Sequence, residues 1–320
     1  MKNTKSSATL ASSITKAASK QTYYTIRFLV DRERVVDAYR AYAYFRWVDD
    51  TIDNDSALSE ESRREFEAQQ RSAFLARQKL LLEACYRGEP FQDATAEEQI
   101  LVDLVRQDRE TNSGLQAYLR NMMQVMEFDA GRRGRLISQA ELNEYTRWLA
   151  TAVTEAMHYF IGHCCYSPYD DTRYLAVTGA HITHMLRDTF EDVQAGYVNS
   201  PREVLEASRI QPGDLHSKGY RDWVRGRVGL ARSYFERGRE YLARVENPRC
   251  RIAGFAYTAR FEWLLDAIER EDYFLRPEYR ERKRVDTGLR IGFSTLAAFF
   301  NIRDQEDMPR PFGSHSLRKL

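Results

Sequence analysis

Proline is scarce in this chain, at 8 of 320 residues, and cysteine is scarcer, at 4. Few prolines leave long stretches free to be helical. The cysteines, Cys85, Cys164, Cys165 and Cys250, include no C-x-x-C pair. That excludes a disulfide framework or a structural zinc site and predicts reduced, mostly buried thiols in a cytosolic protein. Neither sign of charge is in excess, since 48 basic side chains face 47 acidic ones for a formal net of +1. A nucleic-acid binder would carry a basic surplus, so nucleic acid is not an expected partner. No apolar run reaches the ~20 residues of a membrane span. The longest, GFSTLAAFF at 292–300, is short and closely follows Arg290.

What is present is a helical pattern. Apolar residues recur with a 3.6-residue period over long stretches, and no β alternation stands out. Thr95-x-x-Glu98 and Ser138-x-x-Glu141 fit capping boxes, and Pro201 after Ser200 fits a first helical position. The expected helices lie near 31–53, 59–86, 95–109, 113–129, 139–165, 171–194, 201–208, 215–246, 249–274 and 278–301. Residues 1–17 are basic, acid-free and rich in Ser and Ala. With no apolar h-region and no arginine, they read as a flexible N-terminus rather than a targeting segment. Residues 303–320 read as a polar tail, which leaves 18–302 as one all-α domain.

Two acidic stretches stand out. In YAYFRWVDDTID (42–53), Asp49 and Asp53 are four apart and share a helix face with Arg46 and Tyr42, with Asp50 alongside. In HITHMLRDTFEDVQAGYVNSP (181–201), Asp188 and Asp192 repeat that spacing, with Arg187 before them and Glu191 beside them. Acids near a helix C-terminus oppose the dipole and repel each other, so each pair calls for a cation. One such pair is common on solvated helix faces. Two, each following an apolar helix and an arginine, point to four carboxylates converging at the mouth of an apolar cavity. Hard oxygen donors suit Mg²⁺, which takes one or two carboxylates and otherwise water and phosphate oxygens. A diphosphate bridged by Mg²⁺ would fit that mouth, and a hydrocarbon tail the cavity below.

His181 and His184 lie on the same helical stripe as Asp188 and Asp192. They read first as core histidines, and alternatively as bases or diphosphate contacts. Glu155-x-x-His158 has the spacing of a di-iron bundle site, but such sites need two copies and the six histidines supply no second. The aromatics of 39–47 and Trp148 read as core or as cavity wall. Arg280–Arg284 (RERKR) reads as a solvated helix face.

At these motifs the chain resembles the squalene/phytoene synthase family, the head-to-head branch of class I isoprenoid synthases. YFRWVDDTID and LRDTFEDVQAG resemble its two aspartate-rich motifs. NMMQVMEFD, ending in Asp129, ELNEYTRWLATAV, containing Tyr145, and LLDAIEREDYF resemble further segments. The resemblance covers roughly residues 18–285 and implies a single-domain helical bundle around a central cavity. It implies Asp49, Asp53, Asp188 and Asp192 as ligands of Mg²⁺ ions, three with a bound diphosphate. It implies Arg46 and Arg187 at the diphosphate, and Tyr145, Asp129, Tyr42, Asp50 and Glu191 around the substrate. The implied reaction ionises an allylic prenyl diphosphate, C15 or C20, and condenses it head-to-head with a second. No nucleotide fingerprint is present, and the family's reductive members have none of the usual form, so the sequence neither requires nor excludes NADPH.

The departures have their own reading. Where the family has Q-x-x-N, this chain has His181 and His184; where it has G-R-I-Y-L-P, this chain has GYVNSP. Thr151 and Thr154 stand for glycines. These changes favour an alternative, a terpene synthase that ionises one substrate and quenches its cation internally, with His184 as a base. A third class, a non-catalytic relative, is disfavoured by the intact aspartate pairs. The expected location is the cytoplasm, in solution or at a membrane surface.

Overall fold

Thr95 and Ser138 each open a helix as their spacing predicts. The Thr95 hydroxyl accepts the Glu98 amide at 3.2 Å, and the Glu98 carboxylate accepts the Thr95 amide at 3.0 Å. Ser138 and Glu141 repeat the exchange at 3.2 and 2.8 Å. Each box satisfies amides that a helix start leaves without partners. The computed structural model describes residues 2–53 and 60–279, excepting the side chains of 2–5, 53 and 60–68. The expected helix at 278–301, the RERKR stretch and the 303–320 tail lie outside the described residues.

Eleven α-helices are described: α1 (Lys2–Ala18), α2 (Lys20–Leu29), α3 (Val35–Asp53), α4 (Glu60–Arg87), α5 (Ala96–Val105), α6 (Gly114–Arg132), α7 (Gln139–Phe160), α8 (Leu175–Gln194), α9 (Arg202–Ser208), α10 (Lys218–Ala243) and α11 (Pro248–Arg270). A 3₁₀ turn, Arg32–Arg34, leads into α3. Among the described residues the only β pairing is an isolated parallel bridge, Leu136 to Val198. The fold is all-α, as expected.

The helices pack in a chain of neighbours. α1 and α5 flank α3, α3 meets α6, α6 meets α7, α7 meets α8, and α8 packs on α10 and α11. The two aspartate-bearing helices, α3 and α8, are thus linked through α6 and α7 rather than by close packing on each other. α8 and α10 approach closely because Gly179 faces Phe235 and Gly238 faces the backbone of Ala176, where an added Cβ would come within 2.7 Å.

Two expectations need correction. Residues 2–17 are not a loose terminus, because α1 packs along α3. Ala11 and Thr15 are fully buried, and the Ser7 hydroxyl donates to the buried carboxylate of Asp103 at 2.6 Å. The interface is built from small residues, which carry little apolar signal. Cys164 and Cys165 are exposed, because α7 ends at Phe160 and Gly162 turns the chain at φ +73°. Only Cys250 is buried, and Cys85 is half-buried. The Glu155-x-x-His158 pair, set aside above as a di-iron motif, is engaged in packing contacts: Glu155 receives Arg173 at 2.7 and 2.9 Å, and His158 meets the Tyr241 hydroxyl at 2.7 Å.

Candidate active site

The C-terminal turn of α3 carries the first acidic stretch. Arg46 reaches Asp49 at 3.3 Å and pairs with both oxygens of Asp50. All three side chains are solvent-accessible. The Asp53 side chain lies outside the described residues, so its place beside Asp49 rests on the helical register alone. The aromatics before them divide by face. Tyr44 is fully buried and donates to Gln78 of α4 at 3.0 Å, and Trp47 meets Phe74 of α4. Those two are packing residues. Phe45 points toward Tyr118 of α6, with half-buried Tyr42 also on this helix.

On α8, Arg187 grips both oxygens of Asp188 at 2.5 Å, and His184 adds a contact at 3.0 Å. Burial alone would raise the Asp188 carboxyl; His184 and Arg187 outweigh it and hold the group well below the usual carboxylate range. Asp192, one turn on, goes the other way. Burial pushes it up to about 6, and the charge of Asp188 adds to that, against a hydrogen bond from Asn199. His184 is exposed, near Phe261 of α11 at 6.3 Å, and Glu191 is exposed. His181 is buried with neither ring nitrogen hydrogen-bonded. Burial lowers it to about 3, so it is neutral, edge-on to Tyr145 at 5.0 Å.

Sequence reasoning missed how Asp192 is held. The loop after α6 and the loop after α8 are stitched together by backbone. Gly134 donates to Gly196 at 2.8 Å, Arg202 donates to Ile137 at 2.8 Å, and Leu136 pairs with Val198. The chain turns at Gly134 (φ +76°) and Gly196 (φ +89°), where side chains are strained. This strap sets the end of α6 beside the end of α8. A continuous polar network results. Tyr145 donates to Asp129 at 2.8 Å, Arg132 donates to Asp129 at 2.7 Å and to Asn199 at 2.8 Å, and Asn199 donates to Asp192 at 2.6 Å. Arg132 is buried and lies over the rings of Tyr145 and Tyr197 at 5.2 and 4.9 Å. Asn199, noted only as a departure, is the link that orients a motif aspartate. Arg132 was legible only as an arginine three residues after Asp129.

The structure therefore joins Tyr145, Asp129 and Asp192 in one network and His184, Arg187 and Asp188 in a second group on the same helix. It keeps Arg46, Asp49 and Asp50 on α3 as a separate group. Among the described residues no set of three or more His, Cys, Asp or Glu side chains could enclose a metal ion alone. The donors suit a hard cation that completes its shell elsewhere. Asp192 is a carboxylate one turn from another, raised chiefly by burial and further by that neighbour's charge, against Asn199 and Arg132.

The sequence profile of the squalene/phytoene synthase family matches residues 15–288. The chain belongs to the squalene/phytoene synthase family. Members are prenyltransferases. A chloroplastic phytoene synthase of Daucus carota is 28% identical over 120 residues, 35% of this chain and 30% of that protein. Phytoene synthase 3 of Zea mays is 28% identical over 104 residues, 31% of this chain and 24% of that protein. The alignments thus span about a third or less of the curated relatives. A squalene synthase from Alicyclobacillus acidocaldarius superposes with TM-score 0.63 at 20% identity, covering 84% of this chain and 95% of that one. A ligand-bound dehydrosqualene synthase gives 0.68 at 18% identity, covering 95% and 98%. At these identities the likeness establishes the squalene synthase-like fold of the family. Among the described residues no helix is long and apolar enough to cross a membrane.

Proposed function

We propose that this chain is a Mg²⁺-dependent synthase that ionises an allylic prenyl diphosphate and condenses it head-to-head with a second. The observation that carries this reading is the paired state of the α8 carboxylates. Asp188 is held ionised by Arg187 and by its contact with His184, while Asp192 is oriented by Asn199 and raised by burial. Asp49 and Asp53 on α3, with Asp188 and Asp192 on α8, would hold Mg²⁺, which supplies positive charge to a departing diphosphate. Arg46 and Arg187 would trade contacts with their own aspartates for diphosphate oxygens. The allylic C–O bond breaks with its electron pair leaving on diphosphate. Aromatic faces such as Phe128, Trp148 and Phe261 can stabilise the cation without offering a nucleophile. The second substrate's alkene then attacks the cation, and loss of a proton ends the step.

The test uses purified protein, Mg²⁺, and geranyl, farnesyl and geranylgeranyl diphosphates. Pyrophosphate release that a chelator abolishes is expected, along with a product of twice the substrate's carbons by mass spectrometry. Absence of release with every chain length would sink the reading. Asp188→Asn should abolish release with the fold intact, and retained turnover would contradict the metal assignment.

A terpene synthase reading is favoured by His184, which is exposed, next to Asp188 and Phe261, and replaces the family's usual amide. A product with the substrate's own carbon count would select it. Under that reading His184→Phe changes the product distribution; an unchanged distribution and rate would remove the base role.

A further inference from the structure

A second concave site lies on the opposite face of α7 from Tyr145, between α7, α8 and α10. It is a groove of about 300 Å³, at the small end of ligand pockets. Its apolar lining includes Leu175, Ile182 and Leu230. No Asp or Glu lines it.

Arg227 of α10 lines this groove, half-buried. Among the described residues it has no acidic partner and no hydrogen bond, and only the Tyr234 hydroxyl interacts with its charge favourably. Several other described arginines away from full exposure are ion-paired, as buried Arg173 is with Glu155 and half-buried Arg232 is with Asp266 and Glu269. Burying a guanidinium without an anion is costly. The other arginine at the groove, Arg147, is already occupied by Glu144 at 2.6 and 2.9 Å.

Three lining hydroxyls are already committed as donors, Thr146 to Leu142, Thr178 to Tyr174 and Tyr174 to Glu155, and the donors left over belong to Asn143, Thr151 and Tyr234. The Asn143 carbonyl oxygen already accepts from Gln139 at 2.8 Å, so its NH₂ is what it has left to offer as a donor. Thr151 and Tyr234 have hydroxyls with no hydrogen bond among the described residues. A guanidinium, two hydroxyls and an amide offer more donors than the two oxygens of a carboxylate take up. A phosphate monoester, with three terminal oxygens, matches them better.

We propose that this groove binds a phosphate monoester carrying a short apolar body, with the phosphate at Arg227 and the body over Leu175, Ile182 and Leu230. The site is separate from the aspartate motifs, and the inference does not depend on the reaction those motifs perform.

Hexyl phosphate is the probe, titrated calorimetrically into the full chain without divalent metal. Binding is expected in wild type and Arg227→Lys, and weakened about tenfold or more in Arg227→Gln. Among the described residues Arg227 has no ion pair or hydrogen bond to break, so Arg227→Gln should keep or raise the Tm, which separates lost binding from lost fold. Equal binding by wild type and Arg227→Gln, or no binding by wild type, overturns the proposal. A parallel arm sediments the protein with phosphatidylcholine vesicles with and without phosphatidic acid. Sedimentation that requires both phosphatidic acid and Arg227 identifies a lipid as the natural source of the phosphate. Hexyl phosphate binding without sedimentation identifies a soluble one.

Discussion

Asn199 is one side chain with two duties, accepting from Arg132 and donating to Asp192. Asn199→Ala should lower pyrophosphate release about 10–100-fold, the usual range for losing a group that orients a metal ligand. Asn199→Asp should be worse than Ala, because it places a third carboxylate by Asp188 and Asp192. Wild-type release by both variants would refute the orienting role. One buried and one half-buried histidine predict an acid-labile fold. Burial lowers His158 to about 4 and His181 to about 3, against about 6.5 in the unfolded chain. Both folded values lie below the unfolded one, so this stability is complete above about pH 6.5 and drains as pH falls toward 4. Tm should drop between pH 7 and 5, and His181→Phe, which removes two orphaned nitrogens, should flatten the drop without lowering Tm at pH 7. A steeper drop in that variant would contradict the assignment. At this scale the aspartates, arginines and Tyr145 were legible because charged residues at helical spacing advertise themselves. Arg132 and the unpartnered state of His181 were not, since each depends on what neighbouring helices bring.

Helices reveal themselves in sequence when apolar residues repeat and when their ends carry caps. That is why α5 and α7 start at Thr95 and Ser138 as expected. Their far ends were overrun, α7 by five residues, because Gly162 and the loop beyond it are shaped by Asp31. The Asp31 carboxylate accepts the Gly162 and His163 amides at 3.0 Å, a contact between segments over 130 residues apart. α1 was misread for a related reason: its buried face holds Ser7, Ala11 and Thr15, residues that sequence reasoning files as surface. The α8–α10 contact is another small-residue interface. Gly238→Ala should cost about 1–3 kcal/mol by overpacking against Ala176. That would lower Tm by about 2–8 °C, readable by thermal melt, and an unchanged Tm would mean that the helices part freely.

At the scale of the molecule, two apolar clusters meet through α7 and α8, one centred on α1 to α7 and the other on α8 to α11. α1 belongs to the first. Removing residues 1–18 would strip Ser7 from Asp103 and from Arg40, leaving buried charge short of partners. Such a truncation should lower Tm by about 5 °C or more, and a full-length Tm would restore the view of α1 as dispensable. The class and its helical architecture were legible because period and capping are local. The site was only half legible, because its second half is assembled by a contact between two loops.

That contact has a practical consequence for anyone rebuilding this enzyme. The segments at 133–138 and 195–201 share backbone bonds, so neither has a shape of its own. A chimera that imports a relative's segment after the second aspartate motif will inherit a mismatched partner. The two segments would have to travel together, with Arg132 and Asn199 exchanged as a pair.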